Sequence, residues 1–374
     1  MSASRPLYVT RPELPPLEDF LPLLEDIWES RILSNDGRYH QQFEAALKAY
    51  LNVDHVSLVC NATMGLQLAL RQCAQPGQVI TTPFSFVATT HAVALSGMEP
   101  VFADIDPVSL NLHPAAVEAA ITPDTRAIMP VHIFGRGCDT KAFARLAQEH
   151  NLTLIYDAAQ ALGLGDAGGS VLRHGDMSVL SFHATKVFNT FEGGAVICRD
   201  AETKQKIDDM RNFGIIDEVT VAEIGTNAKM NELNAAVGLL QLNHINELID
   251  RRRETGRRYR DLFADVDGIE CLPALNGQKP NYGSFPVLVQ PGAACTRDDL
   301  YERLREHDVY ARRYFYPLIS ELPMYRQLPS AYAGNLTVAH DIANRVLCLP
   351  LFPDLQADEQ QRIVSIIADE MARG

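Results

Sequence analysis

The sequence predicts an α/β protein in two parts: a large domain over residues 1–250 with a mostly parallel sheet, and a smaller α+β C-terminal domain over residues 251–374. Three observations carry that expectation. From about residue 53 to 200, short apolar runs rich in β-branched residues alternate with amphipathic stretches, as in strands buried on both faces between covering helices. A long helical region with scattered charge, from about Met230 to Phe263, then leads away from that alternation like a spine. The chain of 374 residues also exceeds the roughly 250–300 at which one core stops growing.

In chain order, residues 1–50 are rich in Pro and Leu and end in a helical pattern, Gln41–Tyr50. Strands are expected at Val56–Val59, Gln78–Thr81, Pro100–Ala103, Ala127–Val131, Leu152–Tyr156, Val179–Phe182 and Gly194–Cys198. Helical patterns lie between most of them, including Met64–Cys73, Pro114–Ala120 and Lys141–His150. The C-terminal part offers a strand at Ser284–Val289 and helices at Arg297–His307 and Asp358–Ala372. No internal repeat or low-complexity segment interrupts this order.

Composition narrows the function. A net charge of −14 argues against nucleic acid or an anionic membrane surface as the main partner. Cysteines 60, 73, 138, 198, 271, 295 and 348 are scattered and lack metal-ligand spacing, and His132 and His183 lie on different segments, so no metal site is expected. Such cysteine usage fits a reducing, cytoplasmic setting. The first residues lack the apolar core of a signal peptide, and no apolar run approaches the roughly 18 residues that span a bilayer.

Four segments place reactive or polar residues after expected strands, where ligands gather in open α/β sheets. Lys186 lies in a turn between the runs Ser178–Phe182 and Ala195–Cys198, closed by Gly193-Gly194. A lysine held between core strands is poorly solvated; desolvation lowers its pKa and makes it a nucleophile toward carbonyls, including the aldehyde of pyridoxal 5′-phosphate. Asp157-Ala-Ala-Gln160 follows Leu152–Tyr156, and an aspartate there can pair with a protonated pyridine nitrogen. Cys60-Asn-Ala-Thr-Met-Gly-Leu66 opens a helix with small residues, a ready phosphate site to which Thr63 adds a hydroxyl. Thr82-Pro-Phe-Ser-Phe-Val-Ala-Thr89 supplies aromatics able to cover a flat ring. Taken singly, these are also an ordinary turn lysine, a helix cap, an N-cap and core aromatics. Gly163-Leu-Gly-Asp-Ala-Gly168 matches a dinucleotide fingerprint literally, but it neither follows a strand directly nor opens a helix, so a loop or hairpin turn is expected there.

Together these segments resemble the DegT/DnrJ/EryC1/StrS family of PLP-dependent sugar aminotransferases. The resemblance covers nearly the whole chain, from Leu33-Ser-Asn-Asp-Gly37 to Tyr316-Pro-Leu318 and Leu349-Pro-Leu-Phe-Pro353. Its order is specific: phosphate loop, aromatic loop, Asp-Ala-Ala-Gln, Ser-Phe-His-x-x-Lys with Glu-Gly-Gly, then Gly225-Thr-Asn-Ala-Lys-Met230. The resemblance implies a type I PLP-dependent transferase fold, aspartate-aminotransferase-like.

It also implies roles. Lys186 would bond the cofactor's aldehyde and shuttle a proton between cofactor and substrate. Asp157 would pair with the pyridine nitrogen, Gln160 would contact the phenolic oxygen and Phe86 would stack on the ring. Ala62, Thr63 and Ser181 would hold the phosphate. Asn227 would reach in from the partner subunit of a homodimer with shared sites. The chain departs from the family pattern at Ala62, usually Gly, at Lys229, commonly Arg, and at Ile319, frequently His. Relatives with His at the lysine position act as dehydratases, so Lys186 argues for transamination. The implied partners are L-glutamate as amino donor and a nucleotide-linked keto-6-deoxy sugar. The stretch 178–194 resembles the members that aminate C4 of dTDP-4-keto-6-deoxyglucose, in O-antigen or antibiotic sugar synthesis. Amination at C3, a UDP- or GDP-linked sugar, and a non-catalytic sugar-sensing regulator on the same scaffold are the alternatives.

Overall fold

Residues 6–73 and 75–373 are described in the computed structural model. A two-residue strand, β1 (Leu7–Tyr8), precedes helices α1 (Leu17–Ser30) and α2 (Arg38–Leu51). Then come β2 (His55–Val59), α3 (Ala62–Leu70), β3 (Gln78–Thr81), α4 (Ala88–Leu95), β4 (Glu99–Phe102), α5 (Pro114–Ala120), β5 (Thr125–Met129), α6 (Thr140–His150) and β6 (Thr153–Asp157). The glycine-rich stretch 163–168 is a loop entering a small antiparallel hairpin, β7 (Gly165–Asp166) with β8 (Gly169–Ser170), which agrees with its exclusion as a dinucleotide fingerprint. Strands β9 (Met177–Ser181) and β10 (Gly194–Cys198) follow, then α7 (Ala201–Arg211) and the 32-residue α8 (Glu232–Phe263). The boundary expected at 250/251 falls inside that unbroken helix.

Seven strands form one sheet in the order β2-β10-β9-β6-β5-β3-β4. The β4–β3, β3–β5, β5–β6 and β6–β9 pairs are parallel, whereas β10 runs antiparallel to both its neighbours. Parallel neighbours need a crossover, usually a helix. The β9–β10 connection, residues 182–193, contains no helix and returns the chain beside β9 in the opposite direction.

Alternation along the strands feeds a core on each face. Val59, Ile155, Val179 and Val196 pack with α3 residues such as Leu66 and Ala69. Leu58, Leu180 and Ile197 face the opposite way, against Phe43 and Leu47 of α2 and Ala235 and Ile245 of α8. At the other half of that face, Ile80, Ile128 and Leu154 meet Val117 of α5 and Phe143 and Leu146 of α6. Both faces are apolar, which is why these strands read as near-continuous hydrophobic runs.

The C-terminal part holds β11 (Ile269–Cys271), β12 (Phe285–Val289), α9 (Arg297–Glu306), β13 (Val309–Tyr310), α10 (Thr337–Arg345), β14 (Val346–Leu349) and α11 (Ala357–Met371). Strands β11, β12 and β14 make an antiparallel sheet that packs with α9, α11 and the end of α8. β1 pairs with β13, so Leu7 and Tyr8 are tied to the last third of the chain. Phe84, Val131 and Phe134 from loops after the large sheet's strands share a cluster with Phe315, Leu318 and Ile319. No helix among the described residues is long and apolar enough to cross a membrane.

Candidate active site

The loops at the carboxyl ends of β2, β3, β6 and β9 meet at one edge of the large sheet. They enclose a cavity of about 620 Å³. Ala62, Thr63, Phe86, Asp157, Gln160, Ser181 and Lys186, all singled out from the sequence, line it together. Asn227, expected to act from a partner subunit, does not line this cavity of its own chain; it lies exposed on the segment between α7 and α8.

Asp157 ends β6, where its backbone N–H donates to Pro130 O and its carbonyl accepts from His132 N. Its side chain is only 4% exposed. Thr89 Oγ1 donates to Oδ2 at 2.7 Å and the Ala159 N–H donates to Oδ1 at 3.1 Å. Burial pushes the carboxyl pKa up, while these two donors and Lys186 pull it back. Lys186 follows β9 on the β9–β10 loop, its N–H bonded to His183 O. The cavity leaves part of its surface open, yet protein crowds the amine enough for desolvation to lower its pKa, with Asp157 opposing. The lysine is therefore a better nucleophile than a solvated one.

Helix α3 points its N-terminus into the cavity. Asn61 caps it, accepting from Met64 N at 2.9 Å, and the first-turn N–H groups of Ala62 and Thr63 have no partner inside the helix. The close approach of β10 to this turn requires Gly194, where a Cβ would lie 2.7 Å from Leu180 O and 2.9 Å from Ala62 N. Ser181, at the end of β9, is buried beside it. Phe86 is 61% exposed although it lies on the cavity wall, so much of its aromatic surface is open among the described residues. Gln160 Oε1 is buried without a hydrogen-bond partner among the described residues. A desolvated amine, a buried carboxylate, a helix N-terminus, an open aromatic face and an orphaned amide oxygen fit the amine-reactive aldehyde, ring nitrogen, phosphate, ring face and phenolic oxygen of pyridoxal phosphate.

Several cavity residues escaped the sequence reading. Ser85 and Thr89 lie in the aromatic segment, and their i,i+4 spacing at a helix start was the available signal. Val9 and Thr10 left none, because long-range contacts, the pairing of β1 with β13 and the bond from Leu351 N to Val9 O, bring the N-terminal segment here. Tyr314, Phe315 and Asn281 arrive from the C-terminal part. Asn281 Nδ2 donates to Gln160 O at 2.6 Å and Leu162 O at 2.8 Å, fixing the turn after Asp157. His132 lies off the cavity; it is fully buried, stacked on Tyr156 at 4.8 Å, and burial drives its pKa down to about 3.

Comparison with known proteins finds relatives along almost the whole chain. The chain is 47% identical over 365 residues to a dTDP-4-amino-4,6-dideoxy-D-glucose transaminase of Shigella dysenteriae, covering 98% of this chain and 99% of that protein. A transaminase of the same description from Escherichia coli is 43% identical, covering 97% and 98% respectively. Among solved structures, DesI in the presence of its TDP-sugar product superposes with a TM-score of 0.94 at 37% identity, over 99% of this chain and 94% of that one. Residues 17–368 match the DegT/DnrJ/EryC1/StrS aminotransferases, whose cofactor is pyridoxal phosphate. The fold, the lysine–aspartate cavity and near end-to-end similarity converge: this chain is a PLP-dependent enzyme belonging to the DegT/DnrJ/EryC1/StrS aminotransferase family.

Proposed function

We propose that the enzyme transfers an amino group from L-glutamate to C4 of dTDP-4-keto-6-deoxy-D-glucose, giving dTDP-4-amino-4,6-dideoxy-D-glucose. The observation that carries this reading is the 47% identity, over almost the full length of both chains, to the Shigella enzyme described by that product. Pyridoxal phosphate, when bound, supplies an electron sink for negative charge developing on the substrate carbon.

The protein's own groups divide the remaining work. Lys186 holds the cofactor and moves a proton through its Nζ. Asp157, on the cavity wall, would pair with the ring nitrogen and favour its protonated form. The N–H groups of Ala62 and Thr63, with the hydroxyls of Thr63 and Ser181, would hold the phosphate, while Phe86 would cover the ring face and Gln160 would contact the phenolic oxygen. Substrate carboxylates and a diphosphate need further cations, and among the described residues Lys186 and His183 are the basic side chains that line this cavity. A homodimer with shared sites answers that need. The segment between α7 and α8 supports it: Phe213, Ile216, Val219 and Ile224 are exposed there beside Asn227 and Lys229. The working place is the cytoplasm, and the product is a precursor of an O-antigen or lipopolysaccharide sugar.

The test is glutamate-dependent turnover of dTDP-linked 4-keto and 3-keto 6-deoxy sugars by the purified enzyme. Amination of the 4-keto sugar with the amine at C4 is expected. Activity confined to the 3-keto sugar, or to UDP- or GDP-linked sugars, overturns the assignment.

A further inference from the structure

The segment between β3 and α4 does more than present Phe86. Ser85 and Thr89 lie one helical turn apart where α4 begins, 5% and 1% exposed. Thr89 Oγ1 donates to Asp157 Oδ2 at 2.7 Å, and Ser85 Oγ lies 2.9 Å from the same Thr89 oxygen. A hydroxyl carries one proton. An ionised carboxylate only accepts, so Thr89 gives that proton to Asp157, and Ser85 must then be the donor to Thr89. The direction of the chain is fixed: Ser85 to Thr89 to Asp157. Each link polarises the next, which strengthens the final bond in a low-dielectric interior. Thr89 also sits in the first turn of α4, where the helix dipole favours an anion.

We propose that Ser85 and Thr89 are positioning residues that hold the Asp157 carboxylate ionised and aimed into the cavity. The functional meaning of this chain rests on the reading of Asp157 as the partner of the cofactor's ring nitrogen. A neutral Asp157 would no longer favour the protonated ring, and a rotated one would miss it. Burial works against ionisation, so the two hydroxyls and the Ala159 N–H offset a real desolvation cost. Lys186 and the Cys138 thiol also interact electrostatically with this carboxylate, and both remain in every variant below.

The experiment is a cycle of pH–stability profiles on the apoprotein, so it reads the chain without any catalytic turnover. Asp157 has a raised folded-state pKa, so its contribution to stability is complete below the ordinary value of 3.8 and is lost as pH rises through the folded value. Thr89→Val removes a charge-assisted donor and should move the end of that loss upward by about 1–2 pH units. The Thr89→Val defect should thus be present near neutrality and fade in acid. Ser85→Ala should move it in the same direction by less, and Thr89→Ser should restore the wild-type profile. In an Asp157→Asn background, the pH-dependent part of the Thr89→Val effect should vanish. An equal, pH-independent loss from Thr89→Val in both backgrounds means packing alone and overturns the proposal. Titration of wild-type apoprotein with pyridoxal phosphate, followed by visible absorbance, reads the cofactor assignment separately. A wild type that takes up none overturns the positioning role even where the coupling to Asp157 is present.

Discussion

Two groups of buried charges sit in the large sheet's half of the molecule, and they are built in opposite ways. Beneath α2, Arg211 is 3% exposed but fully engaged: it donates to His40 Nε2 at 2.8 Å and Leu58 O at 2.7 Å, and it pairs with Asp36 at 3.2 Å and Asp208 at 3.0 Å. Glu232, 2% exposed, accepts from the N–H groups of Tyr39 at 2.7 Å and His40 at 2.9 Å, capping α2 from 193 residues away in sequence. Gly37 makes room for it, since a Cβ there would lie 2.7 Å from Glu232 Cδ. His40 stays neutral, its pKa held down by burial and then by Arg211. In the cavity, by contrast, Lys186 has, among the described residues, Asp157 as its one opposing charge and no hydrogen bond that supports its ammonium. Saturated charges hold structure together. A charge left short of partners is poised for a ligand.

The sharpest way to break this contrast is to remove the cavity lysine. Lys186→Ala should abolish the visible absorbance of bound cofactor and lower glutamate-dependent turnover by about 10³-fold or more. Apoprotein stability should not fall, because a desolvated amine is lost while Asp157 keeps its donors Thr89 and Ala159. An unfolded variant would make Lys186 a structural charge and erase the distinction.

Asp157→Asn should lower turnover by about 10²–10³-fold. Its apoprotein should be as stable as the wild type or more so near pH 7. That advantage should shrink as the pH falls toward 3.8, where the wild-type carboxyl also becomes neutral. Thermal unfolding across pH checks the sign.

The saturated cluster should behave conversely. Glu232→Gln weakens two charge-assisted bonds to a helix N-terminus and should cost about 1–3 kcal/mol in urea unfolding, while cofactor absorbance stays unchanged. A smaller effect tests the border between the two groups. Asn61 caps α3 and also opens the phosphate site, so Asn61→Ala should cost about 1 kcal/mol and weaken cofactor uptake as well. Loss of stability with unaltered uptake would place α3's N-terminus on the structural side alone.

Much of the fold was legible because the relevant signals are local. The seven expected strands of the large sheet fall on β2, β3, β4, β5, β6, β9 and β10 within a residue or two, and Gln78–Thr81 and Gly194–Cys198 match at both ends. The cavity's principal residues were legible for a related reason: each ends a strand with a strong pattern or lies in the segment that follows one. Other features were silent. A two-residue pairing such as β1 with β13 has no periodicity to detect, and nothing near Glu232 announces that it caps a helix beginning at Arg38. The antiparallel course of β10 was equally hidden, because a strand buried on both faces looks the same whichever way it runs.

The sequence by itself determined which stretches are strands and helices, and which residue types stand at the strand ends, since periodicity and side-chain chemistry belong to neighbours in the chain. Only the tertiary structure decided what those residues experience. Lys186 has a lowered pKa and Asp157 a raised one because loops from four strands and from the C-terminal part exclude water around them. Arg211 has no such shortage because Asp36, His40, Leu58 and Asp208 converge on it. Desolvation is a property of packing, and packing joins residues that the sequence keeps far apart.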